Sequence, residues 1–379
     1  MKIGIDARFY GSLGKGLGRY ASELIAHLEQ LDANNEYVVF LRAGNWNEYE
    51  PKAPNFRKVL ADYPWYTWRE QLLYPFFLRH QRLDLMHFLH FNVPILYRRP
   101  FIVTVHDLIL LQFPTTRAST LGPIKYWLKH RLYRWVIGRA IKRAEVVLTV
   151  SKTIRQEIKK FFPAAQQKQI IVTYGACPAA LRASSKTISV DHTQEAVGPH
   201  APFALYVGNA YPHKNLEQLI AAFQMFRESG HVSWQLVLVG APDYFYERLK
   251  KETTALGLTD HVIFFGQATD YQLMALYREA RFYVFPSLCE GFGLPPLEAM
   301  DSGLPVAASD ASCLPEVLGA AAIYFNGKST TDIAEKLSLL ADDENLRKKM
   351  IAAGYQQTQK YDWQVAAKKT LDAYISCTK

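Results

Sequence analysis

Cysteine, paired metal-binding acids and long apolar runs are the scarce features of this 379-residue chain, and each scarcity closes off a class. The four cysteines, Cys177, Cys289, Cys313 and Cys377, are scattered and form no CxxC pair. That usage suits a reducing compartment and argues against a zinc site. No uninterrupted apolar run approaches the ~20 residues of a membrane span. The opening Met1-Lys2-Ile3-Gly4-Ile5-Asp6 lacks the apolar core of a signal peptide. The expectation is therefore a cytoplasmic chain, with peripheral attachment to the inner face of the cell membrane left open. Acid is also in deficit: 44 Lys and Arg face 35 Asp and Glu, for a net charge of +9. Such a balance implies an acidic partner, whether nucleic acid, anionic lipid or a phosphorylated substrate. Much of the excess lies in the first half, above all between Arg117 and Arg143.

What is present is a regular alternation. Short apolar runs at 2–6, 36–41, 56–60, 84–88, 101–105, 145–150 and 170–173 read as strands, with helical periodicity at 18–30, 68–80, 125–144 and 152–161 between them. Strands separated by helices pair in parallel through right-handed crossovers, so this half is a doubly wound α/β sheet. From about Ala183 to Pro202 the sequence turns polar and aperiodic, as an interdomain linker does. A second series follows, with strands at 203–207, 235–239, 262–265, 282–285, 305–308 and 322–325, and helices close the chain at 332–340, 344–360 and 364–376. The reading is an N-terminal domain over 1–182, a linker over 183–201 and a C-terminal domain over 202–362, with the last helix, 363–379, returning to the first domain.

The richest segment is Glu290-Gly291-Phe292-Gly293-Leu294-Pro295-Pro296-Leu297-Glu298. It follows the apolar run Phe282–Phe285, and Pro295 and Pro296 suit the first turn of a helix. A strand, a glycine turn and a helix N-terminus present several backbone N–H groups to one spot, which favours an anion or a dense set of hydroxyls. Glu298 is placed in the first helical turn, close enough to return its carboxylate to the same pocket. A carboxylate accepts from two neighbouring hydroxyls, as on a ribose diol or a sugar ring. Amides for phosphate and carboxylates for diols together suggest a nucleotide sugar. Pro212-His213-Lys214-Asn215 precedes a helix from Leu216, with Asn215 as its N-cap and Gln218 completing a capping box. Lys214 beside a positive helix end repels it unless an anion lies between them, so a diphosphate is the expected occupant.

In the first half, His106-Asp107 sits at the carboxyl end of the strand 101–105, the edge where open parallel sheets bind ligands. A histidine there can donate to a sugar hydroxyl or an oxyanion. Gly16-x-Gly18-x-x-Ala21 formally satisfies the dinucleotide fingerprint, but the loop from Asp6 is too long and Leu41-Arg42 supplies no acid for an adenine ribose. Those glycines instead allow backbone to approach a phosphate or an acceptor. Arg19 adds a charge there or ion-pairs on the surface. The aromatic and basic helix around Tyr126–Arg139 is either an ordinary crossover helix or an interfacial one on anionic lipid, with Trp65, Tyr66, Trp68, Phe76 and Phe77 nearby in sequence.

With these motifs assembled, the chain resembles the retaining glycosyltransferase family 4, whose members have the GT-B fold. It is similar in particular to bacterial mannosyltransferases of surface polysaccharide assembly. The resemblance rests on Tyr206-Val207-Gly208 to Leu216, Glu290 to Glu298, and Ser309-Asp310 to Val317 in the second half, and on Gly16-Leu17-Gly18-Arg19-Tyr20 and Val105-His106-Asp107 in the first. It implies two Rossmann-like domains facing a cleft, with C-terminal helices, the first domain on the acceptor side and the second binding the donor. It implies roles as well. Lys214 neutralises the departing diphosphate. Glu290 holds hydroxyls of the transferred sugar, with the amides of Gly291, Phe292, Gly293 and Leu294 nearby. Glu298 holds the ribose. His106 contacts the donor sugar, and Gly16 and Gly18 lie against donor phosphates or acceptor. Where many members carry arginine, this chain has Asn209 and His213, so diphosphate binding rests on Lys214, backbone and either His213 or Arg19.

The implied reaction transfers a sugar with retention of configuration. The donor is GDP-mannose in first place and a UDP-sugar in second; the acceptor is a saccharide or lipid-linked saccharide. No cofactor or metal is expected, since no Asp-x-Asp triplet stands out. An anionic membrane surface is the expected partner of segment 117–143, and no nucleic acid is expected. The rival readings are a GT-B epimerase, a sugar phosphorylase or synthase, and, in another class, a non-catalytic nucleic-acid or membrane-binding protein.

Overall fold

A computed structural model of the protein describes residues 1–11, 16–115, 123–177, 198–199 and 201–377. Most of the expected linker 183–201, the Gly14-Lys15 pair and the start of the basic segment 117–143 lie outside the described residues. The described chain divides into two compact units. The first holds 1–11, 16–111, 123–175 and 362–377, and the second holds 112–115, 176–177, 198–199 and 201–361.

The first unit is a seven-stranded sheet in the order β3-β2-β1-β4-β5-β6-β7. Its strands are β1 (Lys2–Asp6), β2 (Glu36–Leu41), β3 (Phe56–Leu60), β4 (Leu85–Phe88), β5 (Phe101–Val105), β6 (Val147–Thr149) and β7 (Ile170–Val172). Every pairing is parallel. The central strands β4 and β5 are buried along their whole length, as a sheet covered on both faces requires. The helices are α1 (Gly16–Leu31), α2 (Trp68–His80), α3 (Ile109–Gln112), α4 (Pro123–Arg143) and α5 (Lys152–Phe161). Thr67 and Ser151 start α2 and α5 by accepting from the N–H of Glu70 and Ile154.

The second unit is a six-stranded parallel sheet in the order β10-β9-β8-β11-β12-β13. Its strands are β8 (Phe203–Val207), β9 (Gln235–Val239), β10 (Val262–Gly266), β11 (Phe282–Phe285), β12 (Val306–Ser309) and β13 (Ala322–Phe325). Between and after them run α6 (Leu216–Glu228), α7 (Tyr244–Ala255), α8 (Asp270–Glu279), α9 (Leu294–Asp301), α10 (Leu314–Leu318), α11 (Thr330–Asp342) and α12 (Glu344–Thr358). The doubly wound α/β class expected from the alternation is what both units adopt.

The last helix, α13 (Trp363–Ser376), belongs to the first unit and packs along α1. Its Trp363 ring meets Tyr20 edge-on at 5.4 Å, and the Tyr374 hydroxyl is hydrogen-bonded at 2.7 Å to Nδ1 of the buried His87 on β4. Among the described residues no helix is long and apolar enough to cross a membrane. Exposed apolar side chains do gather on α2 and α4: Trp68, Leu72 and Phe76 on one, Trp127, Leu128, Leu132 and Trp135 on the other.

Candidate active site

In the second sheet the strand order reverses direction between β8 and β11, which lie side by side. The carboxyl ends flanking such a reversal form the crevice where open α/β sheets take ligands. The residues following these two strands carry the expected site. Lys214 Nζ lies 2.5 Å from Glu290 Oε1, and the two side chains are 14% and 10% exposed. The same ammonium stands 5.2 Å over the Phe285 ring at the end of β11. The pair is therefore largely screened from bulk water while keeping a little exposure.

Backbone stitching fixes the pair. Pro212–Lys214 form a single 3₁₀ turn, and the Leu288 N–H donates to His213 O at 2.8 Å. Asn215 does not act as the side-chain cap expected of it. It adopts the left-handed conformation (φ 62°), and its amide donates instead to Pro286 O (3.2 Å) and Gly327 O (2.7 Å). A short polar side chain tolerates that backbone region, and here it ties the loop after β8 to the loops after β11 and β13. Glu290 is held from below by Ser312, itself left-handed at φ 57°. The Ser312 hydroxyl donates to Glu290 O at 2.8 Å and accepts from Glu290 N at 3.2 Å.

The glycine turn then bends into α9. Gly293 has φ 87°, and a Cβ there would stand 3.1 Å from Leu314 Cδ2, so both conformation and space favour glycine. Phe292 is buried and meets Tyr361 edge-on at 5.4 Å; Gly291 lies beside it in the turn, and α9 starts at Leu294. Glu298 departs from the expected position. It lies in the second turn of α9 rather than the first, since the helix opens at Leu294. Its carboxylate is buried and accepts from the Tyr277 hydroxyl at 3.2 Å.

His213 is buried, and its pKa is pushed down to about 4 by burial and by Lys214. It is neutral near neutral pH, so it can offer a hydrogen bond to a phosphate but no charge. Asn209 uses its side chain locally, accepting from the Tyr211 N–H at 3.4 Å. Lys214 is thus the basic side chain of this loop that pairs with a carboxylate.

In the first sheet the reversal falls between β1 and β4. His106 follows β5, and its Nε2–H donates to Leu89 O at 2.8 Å. Burial pushes its pKa down to about 4. The imidazole is therefore neutral with the proton on Nε2, and Nδ1 is an acceptor. That reverses the donor role expected from the sequence: His106 can accept from a hydroxyl. The two glycines of the first helix also part company. A Cβ on Gly18 would meet Gly11 O at 1.9 Å and Phe9 O at 2.6 Å, so its missing side chain serves backbone packing, whereas a Cβ on Gly16 would meet nothing within 4 Å. Arg19 is half-buried on the same helix. Among the described residues no three His, Cys, Asp or Glu side chains gather to hold a metal ion.

Sequence reasoning missed a buried network under this edge. Arg8, 1% exposed, donates to both carboxylate oxygens of Asp6, to Glu70 Oε1 and to Tyr63 O. Glu70 Oε2 in turn accepts from the Tyr66 N–H and the Asn92 amide. The partners lie up to 62 residues apart, and no local pattern joins them. A Glu in the first turn of α2 is all that the sequence displays, and its burial is visible only in the structure.

Residues 189–357 match the model of the glycosyl transferases group 1, and residues 14–176 that of glycosyltransferase family 4. The O-antigen chain mannosyltransferase B of Escherichia coli is 27% identical over 377 residues, covering 95% of each chain. The O-antigen chain mannosyltransferase RfbU of Salmonella typhimurium is 29% identical over 262 residues, 69% of this chain and 66% of that one. Among solved structures, WaaG, a glycosyltransferase involved in lipopolysaccharide biosynthesis, superposes with a TM-score of 0.75 over 98% of this chain and 99% of its own at 16% identity, a likeness of fold alone.

Proposed function

The chain belongs to the group 1 and family 4 glycosyltransferases of the GT-B fold, and from that premise we propose that it transfers mannose from GDP-mannose to a saccharide or lipid-linked saccharide of a surface polysaccharide. The observation that carries the reading is the Lys214–Glu290 pair at the strand-order reversal of the second sheet. One member suits a departing diphosphate and the other the hydroxyls of the sugar it leaves.

In this reading the diphosphate binds Lys214 and the amides of Gly291, Phe292, Gly293 and Leu294. Glu298 accepts from the ribose diol, and Glu290, released from Lys214, accepts from the hydroxyls of the mannose. The bond between the anomeric carbon and the phosphate oxygen breaks while Lys214 balances the charge that develops. The acceptor oxygen attacks from the face the phosphate leaves, and its proton passes to a phosphate oxygen, so configuration is retained. His106 Nδ1 accepts from a sugar hydroxyl. Protein cations and amides supply the electrostatics, and the reaction proceeds without metal.

The first unit also offers an anionic surface something to bind. Arg98, Arg131, Arg134, Arg139, Lys142 and Arg143 line one cavity of about 1230 Å³, and among the described residues no carboxylate lines it. This supports peripheral docking on anionic lipid, which would bring a lipid-linked acceptor to the enzyme. The decisive experiment follows GDP release from GDP-mannose with and without a mannose-terminated acceptor, in the presence of EDTA, and reads the product anomer by NMR. Acceptor-independent release, or loss of turnover with EDTA, would overturn the corresponding part of the reading. An inverted product would overturn the stereochemistry.

A further inference from the structure

At the strand-order reversal of the first sheet, the loop after β4 carries a histidine that the preceding reading leaves unused. His90 Nδ1 accepts from the Asn92 N–H at 3.3 Å. The proton of the neutral ring therefore sits on Nε2, which has no hydrogen-bond partner in the protein among the described residues. The tautomer is not left to chance. Asn92 is buried, and its side-chain amide donates at 2.7 Å to Glu70 Oε2, which also accepts from the Tyr66 N–H at 2.8 Å. Glu70 is anchored in turn by Arg8 at 2.8 Å. One buried carboxylate thus pins the two segments that carry His90 and Tyr66, and it holds Tyr66, an exposed residue, in the left-handed backbone region (φ 60°). A bulky residue kept at positive φ stores strain that only a surrounding network sustains.

The surroundings of His90 are aromatic. Phe9 lies at 5.1 Å, Phe91 at 3.9 Å and Tyr66 edge-on at 6.5 Å. Arg8 and Glu70 are committed to each other at this edge, and Asp107 accepts from the Ile109 N–H at 3.1 Å. Burial, His106 and Arg8 push the His90 pKa down to about 3, so the ring stays neutral. His106, on the neighbouring strand end, presents the complementary atom, since its Nε2–H is taken by Leu89 O and its Nδ1 accepts.

We propose that His90 Nε2–H and His106 Nδ1 form a donor–acceptor pair for the hydroxyls of one neutral hexose, framed by Phe9 and Tyr66. An uncharged donor, an uncharged acceptor and aromatic faces match a sugar ring, which has hydroxyls on its rim and C–H groups on its faces. This assignment rests on the transferase reading. The hexose is either the mannose of the donor or the terminal sugar of the acceptor, and the same chemistry serves both.

The test uses the full chain and two variants. His90→Phe keeps the ring contacts and removes the N–H, and His90→Gln restores an N–H of similar reach. One arm compares the affinities of GDP and GDP-mannose, whose ratio reports the sugar. The other measures binding of methyl α-mannobioside without nucleotide. His90→Phe should weaken either the sugar-dependent gain or the mannobioside by roughly tenfold or more, the scale of one lost hydrogen bond at a polar site. GDP alone should bind as in wild type, and His90→Gln should recover most of the loss. The arm that moves identifies which sugar occupies the site. Both arms unchanged in His90→Phe, or an equal loss for GDP alone, would overturn the proposal. A wild-type protein that binds mannobioside but gains nothing from GDP-mannose would sink the donor reading and leave this subsite standing.

Discussion

Lys214 and Glu290 lie 76 residues apart in the chain yet meet at 2.5 Å, because they follow neighbouring strands of one parallel sheet. Each side chain neutralises the other while retaining some contact with solvent. A diphosphate would compete for the ammonium, and a sugar would compete for the carboxylate. Their pairing positions both groups before the donor arrives and is exchanged for the donor's phosphates and hydroxyls on binding.

Removing either partner should therefore affect turnover far more than folding. Lys214→Ala and Glu290→Ala are each expected to lower kcat/KM by about 10²–10³-fold, the scale seen when one preorganised electrostatic group is lost. Because the two act on one transition state, the double variant should fall well short of the product of the single losses. Steady-state kinetics on the three variants, with circular dichroism to confirm folding, check this. Full activity in either single variant would contradict the assigned roles.

Gly16 and Gly18 make an internal control. Gly18→Ala forces a Cβ against two backbone carbonyls of the loop Phe9–Gly11 and should destabilise the protein by roughly 1–3 kcal/mol, the cost of overpacking. Gly16→Ala meets nothing and should leave thermal stability unchanged or slightly raised. An activity loss at Gly16 then reports a ligand, whereas one at Gly18 reports the fold. Thermal denaturation of the two variants distinguishes them.

Much of this architecture was legible in the chain. Strands such as Phe101–Val105 and Phe203–Val207 are short apolar runs bounded by polar or turn residues, and helices Trp68–His80 and Leu216–Glu228 carry clear caps or an apolar face, so their limits follow from local pattern. Edges blurred where pattern and pairing diverge: the apolar run 145–150 forms a strand only over Val147–Thr149, because β6 pairs with its neighbours only there. In the site, Lys214, Glu290 and Glu298 stood out through their glycine and proline neighbours. Asn215 is the N-cap residue that the pattern marks, but its side chain does not cap the helix, and only the nearby carbonyls of Pro286 and Gly327 show why it turns away. The donor or acceptor character of His106 was unreadable, since it depends on Leu89 O, 17 residues distant. His90 was invisible because its neighbour Asn92 is anchored by Glu70, 22 residues distant.

The buried histidines set a pH dependence of stability. His87 and His90 are pushed down to about 3, and His106 and His213 to about 4, each chiefly by burial. Their unfolded values lie near 6.5, so between there and the folded values the unfolded chain binds more protons. Stability is therefore complete above about pH 6.5 and falls as pH is lowered toward 4, by about 1.4 kcal/mol per pH unit for the wholly buried His87. Urea midpoints at about pH 7 and about pH 5 should differ in that direction. His87→Gln should flatten the slope. A midpoint that rises on acidification would contradict the neutral assignment.

The cation-lined cavity on α4 makes a prediction of the opposite electrostatic kind. Arg143 has its pKa lowered by burial and then by Arg139 and Arg98, so these guanidinium groups repel one another across the groove. Arg139 Nε is buried without a partner. An anion would relieve both, and an anionic lipid surface supplies many at once. Each Lys or Arg near such a surface is worth about 1 kcal/mol, and the attraction decays within a Debye length of about 8 Å at physiological salt. Reversing the exposed Arg131 and Arg134 to glutamate should therefore cut binding to phosphatidylglycerol vesicles by about tenfold or more. Raising the salt should weaken the wild type and leave little in the variant to weaken. Turnover of GDP-mannose with a water-soluble acceptor should be unchanged, because both arginines belong to the first unit and the Lys214–Glu290 pair belongs to the second. Vesicle sedimentation alongside that soluble assay separates the two effects. Equal vesicle binding by variant and wild type would remove the lipid surface from the reading while leaving the transferase chemistry untouched.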